Sequence, residues 1–92
     1  MAILMIHDGE GDTLEHYDQL IQRLEQAGQG TPPGRLSHVT ARKGGGYIVA
    51  DVWESQEAFD RFAQVLAPLL QQVGVTPAQS QIYPVHNVIT GR

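Results

Sequence analysis

Between Tyr47 and Phe62 the chain changes its hydrophobic period without a break. Tyr47-Ile-Val-Ala-Asp-Val-Trp53 alternates as a strand does, and Phe59, Phe62, Leu66, Leu69 and Val73 repeat with the spacing of a helix. Ser55 stands between the two patterns and predicts the helix N-cap. An unbroken switch of this kind sets the architecture of a small α+β domain. It also puts the aromatic end of a strand beside a candidate pocket.

The remaining segments fit around that unit. Residues 2–7 form a short apolar run, read as a strand buried on both faces, which Gly9-Glu-Gly11 breaks. Asp12 offers an N-cap and Glu15 completes a capping-box spacing. Leu14, Tyr17, Ile21 and Leu24 then make one helical stripe that ends at Gly28. The linker Gly28-Gln-Gly-Thr-Pro-Pro-Gly34 suits neither a helix nor an interior strand. Leu36 to Arg42 alternates as a second strand, and Lys43-Gly-Gly-Gly46 predicts a hairpin turn into the third, Tyr47 to Trp53. Pro68 falls inside the second helix and predicts a kink or a restart; Gly74 stops that helix. Thr76 to Gln79 reads as loop. Gln81 to Ile89 reads as the last strand, with Pro84 arguing for an edge position or a bulge.

The order is β-α-β-β-α-β, a ferredoxin-like α+β fold with a four-stranded antiparallel sheet and both helices on one face, spanning residues 1–92 as a single domain. The apolar Ile48, Ala50 and Val52 side of the third strand is expected beneath the helices. Its mixed side, Tyr47, Val49, Asp51 and Trp53, is then left bare. A bare apolar sheet face needs a cover, and a second copy of the chain is the simplest one, so a homodimer through that face is expected.

Composition narrows the partners. The net charge is −4 with no basic stripe, which disfavours a nucleic-acid backbone. No apolar run is long enough to span a bilayer, so no membrane partner is expected. The N-terminal Ala2-Ile-Leu-Met-Ile6 lacks the basic flank and small-residue cleavage site of a signal peptide. There is no cysteine, hence no disulfide framework or thiolate nucleophile. A cytoplasmic protein is the simplest reading.

Asp51-Val-Trp-Glu-Ser-Gln-Glu-Ala-Phe59, the glycine-bounded second helix and the closing Pro84-Val-His-Asn-Val88 resemble the dimeric α/β-barrel superfamily. Within it, the small antibiotic-biosynthesis-monooxygenase-like proteins are the nearest match. The resemblance implies two ferredoxin-like sheets paired face to face around a lumen. It implies activities such as cofactor-independent oxygenation of polycyclic aromatics, haem degradation, chlorite chemistry or polyketide-type cyclisation. The haem-degrading members use a histidine of the second helix as iron ligand. No histidine lies between His38 and His86 here, which disfavours that branch.

The histidines are the candidate chemistry. None has a recognised metal spacing, and no metal or organic cofactor is expected. His16 lies off the apolar stripe and reads as solvated. His7 ends the first strand, either as a pocket residue or as the start of the loop. His38 lies opposite Val39 in parity; with Val39 under the helices, it points into the lumen and shares that face with Asp51 and Tyr47. Counting back from a turn centred on Gly44 and Gly45 pairs 38 with about 51, within cross-strand reach. Imidazole titrates near neutrality and suits proton abstraction from an activated carbon. His38 is therefore the candidate general base, oriented by Asp51, with its other ring nitrogen open to the lumen. Tyr47 and Trp53 are expected to shape the pocket, as are His7 and whichever of His86 and Asn87 faces inward. The competing reading of His38 and Asp51 is a hydrogen bond that satisfies two polar groups and does no chemistry. Three functions follow: a cofactor-independent monooxygenase or cyclase acting on an aromatic or polyketide-like molecule, a binder of a small apolar or aromatic ligand, or a structural homodimer.

Overall fold

The computed structural model describes residues 1–9, 11–74 and 80–91. The expected loop at Thr76 to Gln79 lies outside the described residues. The elements follow the order read from the sequence: β1 (Ile3–Asp8), α1 (Leu14–Gln26), β2 (Arg35–Lys43), β3 (Gly46–Trp53), α2 (Gln56–Val73) and β4 (Gln81–Pro84). The strands make one antiparallel sheet in the order β2-β3-β1-β4, so β4 is an edge strand as Pro84 required.

Local chemistry accounts for most boundaries. The Ser55 side chain accepts from Ala58 N at 3.1 Å, and Gly74 closes α2 in the left-handed region at φ 78°. Gly44 and Gly45 make the β2–β3 turn, between paired Lys43 and Gly46. At α1 the cap is Thr13 and not Asp12: its hydroxyl accepts from His16 N at 3.1 Å. Asp12, one residue earlier, is engaged elsewhere. The helix α2 runs continuously through Pro68 and does not restart. Both Pro68 and Gln64, whose carbonyl loses its partner, are exposed, so water can take up the missing bond. The last strand is shorter than expected. Pro84 pairs with Ile3, the first residue of β1, and beyond one bond from Val85 N to Ala2 O no sheet remains to pair with.

The principal correction concerns which sheet face the helices cover. Tyr47, Val49, Asp51 and Trp53 point under the helices, together with Ile3 and Met5 of β1. Leu20 and Leu24 of α1 and Ala58 and Phe62 of α2 complete the same core. Ile48, Ala50 and Val52 face the open side, and Val39 with them is 60% exposed. The larger side chains decide this. Trp53 is fully buried, packed edge-on against Phe59 at 5.7 Å and tilted against Phe62 at 5.3 Å between ring centroids. Such aromatic contacts bury far more area than three small aliphatics could.

Phe62 is the largest buried side chain that the helices bring to this core. Phe62→Ala should lower the unfolding free energy by about 3–5 kcal/mol, measured by denaturant titration with the fluorescence of Trp53, the chain's single tryptophan. A loss below about 1 kcal/mol would mean that α2 does not present this face to Trp53.

Candidate active site

The two helices do not close fully on the sheet. A cavity of about 310 Å³ lies between them, walled by apolar residues such as Met5, Leu20, Phe62 and Leu66. That volume is at the small end of the range for small-molecule sites. Seven polar or charged side chains join the lining: His7, Tyr17, Arg35, His38, Tyr47, Asp51 and Ser80. This cavity lies within one chain, on the helix side of the sheet.

Register builds its centre. The glycine turn sets His38 directly across from Asp51 on β3, as the sequence count indicated. His38 Nδ1 lies 2.5 Å from Asp51 Oδ1. A carboxylate offers acceptors only, which assigns a hydrogen to Nδ1; in the neutral imidazole Nε2 is then the acceptor. That second nitrogen is not open. Tyr17 of α1 brings its hydroxyl to 2.6 Å from Nε2 and donates to it, and Thr40 Oγ1 lies 3.2 Å away. The Tyr17 and His38 rings are nearly parallel, 7° apart. A chain of hydrogen bonds thus runs Asp51–His38–Tyr17, from sheet to helix. Asp51 is only 3% exposed, so this partner satisfies a carboxylate that burial would otherwise penalise.

A second polar chain meets the cavity beside the first. Tyr47 Oη donates to Asp12 Oδ2 at 3.0 Å, and Asp12 Oδ1 lies 2.7 Å from His16 Nδ1. His16 is thus a hydrogen-bond partner of Asp12, with its side chain 41% exposed. Burial, then the hydrogen bond to Asp12, raise the Tyr47 pKa far above the ordinary 10 and hold it as a phenol. Tyr47 packs against Gly9, whose missing Cβ makes the room: a methyl group there would sit 2.6 Å from the ring. Tyr17 and Tyr47 lie 5.4 Å apart between centroids.

Of the residues expected to form the pocket, His7, His38, Tyr47 and Asp51 come together in the cavity. Trp53 supports it from the core without appearing among the described lining residues, and its indole N–H has no hydrogen-bond partner among them. His86 and Asn87 are elsewhere. Both are exposed and border a shallow groove with Leu4, Val52 and Tyr83. Alternation could not send one of them inward because the chain has already left the sheet at Pro84. Tyr17 and Asp12 were missed. Tyr17 had been read as one member of an apolar stripe, and Asp12 as a helix cap; Tyr17's hydroxyl, at the tip of a sheet-facing position, was the available signal.

Among the described residues no helix is long and apolar enough to cross a membrane. No protein-family model and no curated protein sequence matches the chain. Solved structures do. A point mutant of SnoaB, a cofactor-independent oxygenase from Streptomyces nogalater, is 17% identical with a TM-score of 0.63, covering 98% of this chain and 96% of that one. An antibiotic biosynthesis monooxygenase assigned in Deinococcus radiodurans is 17% identical with a TM-score of 0.60, covering 100% and 99%. The ActVA-Orf6 monooxygenase of Streptomyces coelicolor, in complex with nanaomycin D, is 16% identical with a TM-score of 0.58, covering 99% and 91%. The chain is a ferredoxin-like α+β protein. More narrowly, it has the fold of the antibiotic-biosynthesis-monooxygenase-like proteins.

The cavity carries one pH-dependent element of stability. Burial lowers the His7 pKa below the ordinary 6.5, against the opposing pull of Asp12, Asp8 and Asp51. As pH falls, the unfolded chain takes up this proton before the folded one does. The contribution is therefore full above the ordinary value and lost as pH drops toward the lower folded value. His7→Gln should lose less stability than the unaltered protein when pH is taken from about 7 to about 5, measured as melting temperature. An equal loss in both proteins would remove His7 from the pH response.

Proposed function

We propose that the protein is a cofactor-independent monooxygenase that oxidises a small aromatic or polyketide-like molecule in the helix-roofed cavity, working as a homodimer. The observation that carries this reading is the Asp51–His38 pair at the wall of an apolar cavity. Proton abstraction from an activated carbon leaves a carbanion that can pass electrons directly to dioxygen. One oxygen atom enters the carbon framework and the other leaves as water. Apolar walls favour that sequence, because they admit a flat ring and exclude the water that would quench the carbanion. Two of the structural neighbours are described as a cofactor-independent oxygenase and a monooxygenase in complex with nanaomycin D, which supports the reaction class.

The homodimer reading now rests on the opposite sheet face from the one first expected. Leu4, Ile48, Ala50 and Val52 lie on the side away from the helices, with Val39 and Tyr83 exposed near them. A second copy applied there would bury apolar surface without touching the cavity, so each subunit would keep its own site.

Anthrone tests the reaction class. It is a three-ring ketone whose methylene is acidic, and oxidation to anthraquinone consumes one dioxygen and releases one water. The protein, sedimenting as a dimer, should accelerate oxygen uptake and place labelled oxygen in the quinone. His38→Ala should reduce the rate about 10²–10⁴-fold with fold and dimer intact. Anthrone binding without oxygen uptake would favour the ligand-binding reading. A monomer at micromolar concentration would remove the second copy.

A further inference from the structure

The general base expected from the sequence was His38 acting directly on a substrate. The hydrogen-bond geometry does not leave it free to do so. Nδ1 is held by Asp51 at 2.5 Å, and Nε2 faces the Tyr17 hydroxyl at 2.6 Å. A carboxylate, an imidazole and a hydroxyl in series make the arrangement by which a buried acid orients an imidazole and the imidazole activates an O–H group. In this chain the activated group is a phenol. We propose that Tyr17 is the residue that meets the substrate, with His38 and Asp51 acting through it.

The proton balance is simple. The Tyr17 O–H bond breaks as its proton passes to His38 Nε2, and the imidazole, already bonded to Asp51 through Nδ1, holds the positive charge beside the carboxylate. The Tyr17 oxygen then takes the substrate proton. Over both steps one proton leaves the substrate and one is gained by the His38–Asp51 pair, and Tyr17 ends as it began.

Three observations favour Tyr17 over the other cavity phenol. Tyr47 donates to Asp12, an acceptor that keeps the proton on the phenol, whereas Tyr17 donates to an imidazole that can take the proton away. Tyr17 is half-buried on α1 and lines the cavity together with His38, whereas Tyr47 is only 2% exposed. The parallel rings of Tyr17 and His38 limit how far the phenol can swing without losing the bond. His38 and Asp51 are, on this view, positioning residues.

For turnover, this role of Tyr17 rests on the proton-abstraction reading proposed above; its reactivity as a phenol does not. Two experiments separate the two. In the first, phenylmethanesulfonyl fluoride is offered to the protein and the modified peptides are read by mass spectrometry. The tyrosine oxygen bonds to sulfur, fluoride leaves and the phenol proton passes to His38. Tyr17 should be the tyrosine modified, with its labelling rate falling about tenfold or more in His38→Gln. Modification of Tyr47 instead, absence of label at Tyr17, or a rate indifferent to His38→Gln would overturn the proposal, whatever the protein's reaction.

In the second, anthrone oxidation is compared in Tyr17→Phe and His38→Gln. Both should lose about 10²-fold or more in kcat while binding anthrone as before. Turnover kept in Tyr17→Phe but lost in His38→Gln would show that His38 acts directly, and would also overturn it. If the unaltered protein does not oxidise anthrone, the oxygenase reading fails and the sulfonylation result alone decides the role of Tyr17.

Discussion

A buried carboxylate has to be answered, and the site is organised around the answer to Asp51. A side chain that is 3% exposed has little access to bulk water, so the protein supplies its hydrogen bond. The neighbouring strand supplies His38 because a two-residue glycine turn sets positions 38 and 51 opposite one another. His38 in turn needs a donor for its second nitrogen, and α1 supplies Tyr17. One buried acid thus links an edge strand, a central strand and a helix. Leaving a member of such a chain without its partner costs on the order of 1–3 kcal/mol. The chain therefore supports the cavity wall as well as lining it.

The cavity lies beside this polar chain, whose members Asp51, His38 and Tyr17 all belong to its lining. Phe59 and Phe62 reach Trp53 at one end of the sheet, where the core is dense. Toward the other end, Tyr47 lies against Gly9 and is tied to Asp12, and the helices stand off from the strands between these two anchors. The space thus has apolar walls and meets two polar chains, one through His38 and one through Tyr47. The opposite face of the sheet is chemically plain by comparison, with small aliphatics on β3 and no described ion pair involving them. The two faces thus differ in chemistry: one carries the polar chains, and the other is mainly apolar.

Element order, the glycine turn between β2 and β3, the stop of α2 at Gly74 and the 38–51 pairing were legible in the sequence, since each follows from local period or turn chemistry. The covered face was not. Residues 2–7 are apolar on both sides, so β1 gives no parity signal, and β3 offered a purely apolar side against a mixed one. Purity of pattern pointed to Ile48, Ala50 and Val52; side-chain size pointed to Trp53 and Tyr47, and size prevailed because aromatic burial outweighs the cost of one satisfied carboxylate. Tyr17 and Asp12 were hidden for a different reason. Each fits a generic helical role, a stripe residue or a cap, and only the packing of α1 on the sheet gives them partners 21 and 35 positions away. His86 and Asn87 were misplaced because strand alternation was carried past the point where β1 ends.

The account turns on His38 holding its proton at Nδ1 toward Asp51 while Nε2 accepts from Tyr17. Long-range proton–nitrogen correlation NMR of the histidine rings reads that assignment directly. The His38 ring should show a protonated Nδ1 and an unprotonated, hydrogen-bonded Nε2 whose nitrogen signal shifts when Tyr17 is replaced by phenylalanine. A ring carrying its proton on Nε2, or an Nε2 signal indifferent to Tyr17→Phe, would contradict the chain from Asp51 to Tyr17.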